Sequence, residues 1–302
     1  MDATAITVRV PATSANLGAG FDCLGMALDM FASVTVTIGG AEQPPTDDVG
    51  EKMVLSGMRS VYSAVEQDMP EAIQVRYGLR IPLGRGLGAS AVARVAGVLV
   101  ANEHAGHPLD PEACLAIASE LEGHSDNACP AMFGGIQVSV HADDRWLHVP
   151  CRYPGNLYMA LLIPDYSMAT KDARRVVPDQ YSRTDAVYNS SRLAMFVAAL
   201  GAGKLDLLDE STRDRFHQPQ RATLFPPMFD LFAAAKDAGA HATWLSGAGS
   251  TIAAICSKAE ARPVAAAMLE QLEAEDLKGR SMVTRISPTG AEIGTVELVQ
   301  PN

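Results

Sequence analysis

The stretch Ile81-Pro82-Leu83-Gly84-Arg85-Gly86-Leu87-Gly88-Ala89-Ser90-Ala91 constrains the fold of this 302-residue chain more than any other. Its glycines stand at alternate positions, 84, 86 and 88, where a backbone can take positive φ and approach another group closely. An alanine- and valine-rich helix is predicted to follow at once, from Ala89 to about Ala105. Such a helix aims free N–H groups and a positive dipole end at the loop that feeds it, which makes the junction a natural seat for phosphate. A tight loop-to-helix connection without any ligand would use the same residues. The familiar phosphate patterns do not fit. There is no Gly-x-x-x-x-Gly-Lys-Ser/Thr, the glycine spacing is not that of the dinucleotide loop, and neither His-Arg-Asp nor Asp-Phe-Gly occurs. If phosphate is bound here, a different nucleotide-binding fold holds it.

Further segments carry polar chemistry. Val10-Pro11-Ala12-Thr13-Ser14-Ala15-Asn16-Leu17-Gly18-Ala19-Gly20-Phe21-Asp22-Cys23-Leu24-Gly25 lies between strand-like runs at Ile6–Val10 and Ser33–Ile38. Its small, hydroxyl and amide residues suit a polar small-molecule site. Asn16 offers donor and acceptor, and Asp22 could receive an ammonium group; an Asx-type turn is the other reading of Asp22. Next comes Ser119-Glu120-Leu121-Glu122-Gly123-His124-Ser125-Asp126-Asn127-Ala128-Cys129-Pro130-Ala131-Met132-Phe133-Gly134-Gly135. The helix leading into it is punctuated by Asp110 as N-cap, Pro111 in the first turn and Glu112 beside the positive dipole end. Glu120 and Glu122 fall at its C-terminus, where anions are unfavourable. Either they face solvent or one of them faces Mg²⁺, a cation that keeps oxygen ligands and bridges phosphates. Far downstream, Trp244-Leu245-Ser246-Gly247-Ala248-Gly249-Ser250-Thr251 places small residues between an apolar approach and a strand-like exit at Ile252–Cys256.

In this order the segments resemble the homoserine kinases, members of the superfamily of small-molecule kinases named for galactose, homoserine, mevalonate and phosphomevalonate (GHMP). The first segment is similar to that family's Pro-Ala-Thr-Ser-Ala-Asn-Leu-Gly-x-Gly-Phe-Asp signature, and the glycine loop to its Pro-x-x-x-Gly-Leu-Gly-Ser-Ser-Ala nucleotide motif. The third resembles Glu-Gly-His-Pro-Asp-Asn-x-x-Pro-Ala-x-x-Gly-Gly, and the fourth Ser-Gly-Ala-Gly-Pro-Thr. Thr170-Lys171-Asp172-Ala173-Arg174 and Asp214-Arg215-Phe216-His217-Gln218-Pro219-Gln220-Arg221 extend the likeness, which runs from Val8 to about Ile255.

The resemblance implies an α+β fold of two domains. These would be an N-terminal mixed sheet like the second domain of ribosomal protein S5, over residues 1–155, and a C-terminal ferredoxin-like α/β sandwich over 156–302. It implies ATP-dependent phosphorylation of the L-homoserine side-chain hydroxyl, on the path to threonine. The backbone of Pro82 to Ala91 would wrap the ATP phosphates, and Ser90 with Glu120 would hold Mg²⁺, Glu122 being the competing candidate. Asn16, Asp22, His124, Asn127, Thr170, Arg174, Arg221 and Gly247 would shape the homoserine pocket. One arginine would clamp the substrate carboxylate as a bidentate fork, and the other would steady phosphoryl charge. Asn127, Arg174 and Glu120 would be the catalytic set. Asn127 stands where many relatives carry an aspartate base, so the hydroxyl proton would pass to the γ-phosphate or to water, with Asp126 the neighbour that could contradict this. A cytoplasmic homodimer is also implied.

The chain departs from the motifs at Ala89, Ser125 and Ser250. The first removes a hydroxyl from the phosphate cradle, and the others remove prolines that limit chain freedom; weaker ligand affinity is expected. Another small alcohol as acceptor, or a relative without turnover, are the alternatives, the second favoured by Ala89 and opposed by Ser90, Glu120, Asn127, Arg174 and Arg221. A formal charge of −11 argues against nucleic acid or an anionic membrane as partner. Five cysteines without a Cys-x-x-Cys pair, and no secretory apolar run after Met1, read as reduced cytosolic thiols. Gln43 to Lys52 reads as a surface loop by composition. Helices are predicted over Asp185–Gly201, Pro226–Ala238 and Arg262–Glu275, and strands over Leu147–Val149 and Met159–Ile163. The domain boundary is expected near Pro154, and mixed strands and helices of this kind suit two layers.

Overall fold

Ile6, Val8 and Val10 are buried while Thr7 is half-buried and Arg9 exposed, the period of two that a strand with one covered face requires. They belong to β1 (Ala3–Ala15), which pairs with β2 (Leu24–Ile38) along most of its length. The structure is a computed structural model and describes residues 3–40 and 46–299. The chain continues through α1 (Val49–Ala64), β3 (Ile73–Leu79), α2 (Ala89–His104), α3 (Pro111–Glu122), α4 (Ala128–Phe133), β4 (Ile136–Ala142) and β5 (Arg145–Cys151). After these come β6 (Tyr158–Pro164), α5 (Thr170–Arg175), α6 (Arg183–Ala202), α7 (Leu208–Ser211), α8 (Gln218–Arg221) and α9 (Met228–Asp237). The last elements are β7 (Ala242–Leu245), β8 (Ile252–Cys256), α10 (Ala261–Ala274), β9 (Gly279–Thr284) and β10 (Glu292–Val299).

The strands form two sheets, one ordered β10-β1-β2-β4-β5 with β3 also paired to β2, the other ordered β7-β8-β6-β9. Every recorded pairing between these strands is antiparallel, so the first sheet is not the mixed one expected. The turn at Asp143 (φ 55°) joins β4 and β5 directly, a connection too short for the crossover that a parallel pair needs. Strand β5 of the first sheet ends at Cys151 and β6 of the second begins at Tyr158, but β10 returns to pair with β1. The last strand therefore belongs to the first sheet and lies outside a clean division at residue 155.

Strand β6 shows how the layers join. Met159, Leu161 and Ile163 enter one cluster with Leu24, Met26 and Leu28 of β2, whereas Ala160 and Leu162 enter another with Met228, Leu231, Val264 and Met268. On the far side of the first sheet, Val34 and Val36 pack with Val54, Met58, Val95 and Val98 of α1 and α2. The succession is thus helices, sheet, sheet, helices, with each half two-layered and a shared apolar seam between the sheets. Alternation along β2 and β6 places their apolar residues on both faces.

The acidic stretch read as a loop to Lys52 ends earlier. Residues 43–45 of it lie outside the described residues. Asp48, however, is the N-cap of α1, its carboxylate accepting from the Glu51 N–H at 3.0 Å. Asp-x-x-Glu is an N-terminal signature, and composition hid it. None of the helices among the described residues is long and apolar enough to cross a membrane.

Candidate active site

A cavity of about 750 Å³ opens where the glycine loop, the ends of β1 and α3, the start of α5 and the β7–β8 loop converge. That volume is ordinary for a small-molecule site. Gly84, Gly86 and Gly88 take φ of 66°, 72° and 68°, the left-handed region that excludes most side chains. All three also lack room, a Cβ on Gly84 lying 2.4 Å from Ser167 Oγ. A Cβ on Gly86 would lie 2.0 Å from the Ser246 carbonyl oxygen, and one on Gly88 would lie 1.8 Å from Thr13 Oγ1 and 2.9 Å from Asn127 Oδ1. Gly88 is the N-cap of α2 and no side chain caps that end. The first N–H groups of α2 therefore face the loop, as the sequence predicts. Pro82, Leu83, Gly84, Gly86, Leu87, Gly88, Ala89 and Ser90 line the cavity. Arg85 instead donates to the Asp165 carbonyl at 2.9 Å, and Ala91 is buried under the helix.

At the metal candidates the geometry chooses. Glu120 is exposed on α3 and does not line the cavity. Glu122 does, and Ser90 Oγ donates to its Oε1 at 2.6 Å. Side chains two apart on a helix point about 160° apart, so only one of the pair could face Ser90. Glu120, expected as metal ligand and catalytic residue, thus lies outside the cavity, and Glu122 occupies the place facing Ser90. Its carboxylate also pairs with Arg94, four residues beyond Ser90, a residue that sequence reasoning passed over. Asp22, His124 and Asp126 form a second group able to hold a metal. Magnesium favours an all-oxygen shell over imidazole, and this group includes His124. The donor chemistry thus fits Mg²⁺ better at Ser90 and Glu122.

The substrate candidates converge opposite the loop. Asp22 receives both prongs of Arg174, at 3.0 Å to Oδ2 and 2.8 Å to Oδ1. Behind them, Phe21 offers its ring to both arginines, with the Arg174 and Arg221 guanidinium carbons 5.7 and 5.2 Å from its centroid. Phe21 had no role in the sequence reading beyond the motif it stands in. Asn16 faces the cavity, but both ends of its amide are engaged: Nδ2 donates to the Gly247 carbonyl at 2.9 Å, and Oδ1 accepts from the Asp22 N–H at 3.0 Å. Asn16 thus ties the β1–β2 loop to the β7–β8 loop. Thr170 and Lys171, at the start of α5, are exposed and line the cavity rim.

Arg221 is only 2% exposed. It donates from Nε to the Ala173 carbonyl at 3.1 Å and from Nη1 to the Gly247 carbonyl at 2.9 Å and to His217 Nδ1 at 3.1 Å. His217 Nε2 lies 2.8 Å from the Gly18 carbonyl. A carbonyl only accepts, so Nε2 carries the proton and Nδ1 is the acceptor that Arg221 needs. Burial pushes His217 down to about 4 and outweighs the opposing charge of Asp214, which keeps the ring neutral. Asp214 in turn receives the N–H groups of Phe216, His217 and Gln218 and the Asn189 amide, fixing the turn that carries both. Burial, followed by the nearby Arg174 charge, lowers Arg221 to about 10, so it stays charged at neutral pH.

Asn127 is held at both ends. Thr13 Oγ1 donates to its Oδ1 at 2.7 Å, and its Nδ2 donates to Asp126 Oδ1 at 3.1 Å. The same carboxylate oxygen pairs with His124 Nδ1. Burial alone would lower His124, but the charge and hydrogen bond of Asp126, with the charge of Asp22, raise it above its ordinary value. One oxygen of Asp126, Oδ1, thus orients both of its neighbours. Ser125 and Ser250, where proline was expected, are buried, with hydroxyls satisfied by Ser139 Oγ and the Tyr166 carbonyl. Arg94, Lys171, Arg174 and Arg221 all line this one cavity in a chain of net charge −11. Such a concentration of cations suits a polyanionic ligand.

Known proteins share this architecture. The family model described as GHMP kinases N terminal domain matches residues 56–135, and that described as GHMP kinases C terminal matches 196–274. The homoserine kinase of Synechocystis sp. is 39% identical over 300 residues, covering 95% of this chain and 97% of the relative. That of Desulfitobacterium hafniense is 36% identical over 298 residues, covering 95% and 99%. Among solved structures, homoserine kinase from Cytophaga hutchinsonii superposes with a TM-score of 0.86 at 28% identity, over 96% of this chain and 97% of that one. Mevalonate diphosphate decarboxylase from Staphylococcus aureus matches at 0.69 and 15% identity, over 97% and 98%, and shares the fold alone. With both family models in place and relatives matched over nearly their whole length, the chain belongs to the homoserine kinases of the GHMP kinase family.

Proposed function

We propose that this chain transfers the γ-phosphoryl group of ATP to the side-chain hydroxyl of L-homoserine, giving O-phospho-L-homoserine for threonine biosynthesis. The observation that carries the substrate choice is the reciprocal Asp22–Arg174 pair beside Arg221. An anion and a cation at the same place complement the ammonium and carboxylate of an amino acid, which can trade partners with them. Mevalonate and galactose have no ammonium for Asp22. The apolar side chains of Val49, Met53 and Leu121, which also line the cavity, suit the nucleoside base.

Phosphoryl transfer needs in-line positioning and charge neutralisation more than covalent help. The α2 N-terminus and its loop N–H groups cradle the phosphates. Glu122 and Ser90 would hold Mg²⁺, which when bound neutralises charge on the phosphate oxygens. Asp22 and Arg174 place the amino acid so that its hydroxyl points toward the loop. Arg221, locked by His217, supplies a fixed positive charge. Asn127 cannot act as a base, because an amide does not take a proton near neutral pH. With its carbonyl occupied by Thr13, it serves to shape the hydroxyl's position. The proton then leaves with the transferred phosphate or to water. The enzyme works as a soluble kinase acting on small molecules, and a homodimer is its proposed assembly.

Phosphorus-31 NMR of a reaction with Mg²⁺-ATP and L-homoserine tests this reading. A new phosphate-monoester resonance coupled to the γ-methylene protons is expected. ATP consumption that yields only inorganic phosphate would contradict it.

A further inference from the structure

Three groups meet at one carboxylate oxygen beside the α2 N-terminus. Glu122 Oε1 accepts from Ser90 Oγ at 2.6 Å and from Arg94 Nη1, and Arg94 Nη1 also reaches Ser90 Oγ at 3.1 Å. Ser90 and Arg94 are four apart on α2, so both point to one face. The Glu122 side chain is 9% exposed and that of Arg94 is 21% exposed. A carboxylate so enclosed needs a positive partner to offset its lost hydration. Arg94 supplies that charge imperfectly, because its Nε is buried without any hydrogen-bond partner among the described residues. An unpaired donor of this kind costs free energy, and the arm already lines the cavity into which it could turn.

We propose that Arg94 is an internal counter-ion that holds the metal position in working order and must be displaced when the divalent cation arrives. The inference rests on the reading of Ser90 and Glu122 as metal ligands. A guanidinium and a metal compete for the same Oε1 lone pairs, and their like charges oppose joint occupancy. Before metal binds, the guanidinium keeps Glu122 turned toward Ser90 and spares the site an unpaired buried charge. That same pairing weakens the metal affinity, since the cation must replace an existing ion pair. Arg94 is therefore a residue that sets the metal concentration at which this kinase works.

The test titrates Mn²⁺ into the full chain and counts free Mn²⁺ by its electron paramagnetic resonance signal, with a non-hydrolysable ATP analogue present. Arg94→Met is expected to bind Mn²⁺ about fivefold more tightly than the unaltered chain, the scale of one partly exposed ion pair. Arg94→Gln, which keeps a polar end, is expected to move the same way and serves if the Met variant does not fold. Glu122→Gln should weaken Mn²⁺ at least tenfold in either background. Unchanged or weaker Mn²⁺ binding in both Arg94 variants, with Glu122→Gln still losing the metal, overturns the counter-ion while leaving the ligand assignment intact. Retained Mn²⁺ affinity in Glu122→Gln overturns the ligand assignment, and the counter-ion with it.

Discussion

Replacing Asp22 by asparagine removes one charge and keeps the shape of the group that faces Arg174. In the proposed complex, Asp22 exchanges Arg174 for the substrate ammonium. Hydrogen bonds to charged groups contribute about 1.5–3 kcal/mol. The Asp22 side chain is 34% exposed, which places it in the lower half of that range because solvent screens the pair. About 2 kcal/mol corresponds to roughly a 30-fold loss in kcat/KM for L-homoserine. The variant also frees Arg174 from its partner, and that effect reaches any acceptor carrying a carboxylate. A substrate cycle separates the two. The assay measures kcat/KM for L-homoserine and for 4-hydroxybutyrate, which lacks only the ammonium, in the parent and in Asp22→Asn. The 4-hydroxybutyrate rate should fall by no more than about threefold, so that most of the preference for homoserine disappears. Equal losses for both acceptors would refute the reasoning and make Asp22 merely a holder of Arg174.

Other outcomes follow from the same geometry. Glu120→Gln should leave kcat/KM within about twofold, because its side chain is exposed and away from the cavity. Glu122→Gln should lower it by at least about 10-fold at fixed Mg²⁺. Gly88→Ala should weaken ATP binding by about 10-fold or more in calorimetry, since its Cβ would strike Thr13 Oγ1 and displace the bond to Asn127. His217 gives a pH signature. Its folded pKa is depressed to about 4, below an unfolded value near 6.5. Its stabilisation is therefore complete above about pH 6.5 and is lost as pH falls toward 4, the unfolded chain binding the extra proton. Urea unfolding between pH 7 and 5 should show the parent losing stability faster than His217→Gln, by up to about 1.4 kcal/mol per pH unit. Parallel profiles would contradict the neutral ring that accepts from Arg221.

Much of the site was readable because each glycine, amide or carboxylate stands in a local pattern with its own physical meaning. Gly84, Gly86 and Gly88 adopt the positive φ that their spacing suggests, and α3 begins at the Asp110 cap and Pro111. Other features needed three dimensions. Glu120 and Glu122 look equivalent in the chain, and only the rotation of α3 turns one toward Ser90 and the other to solvent. The return of β10 to β1 joins residues almost the whole chain apart, a pairing that no local pattern encodes. Arg94 was visible as the residue four beyond Ser90, yet its partner lies on another helix. For Asn16, the residue type suggested a ligand contact, whereas its amide holds the Asp22 and Gly247 backbone. Asp48 and Glu51 carried a capping signal inside a stretch whose prolines and acids read as loop.

The most direct measurement of the central claim is ADP release by the purified chain with Mg²⁺-ATP, comparing L-homoserine, mevalonate, galactose and no acceptor. The site described here predicts turnover with L-homoserine and only background release with the others, because they offer Asp22 no ammonium. Faster turnover with either alcohol, or none with homoserine while ATP still binds, would contradict it.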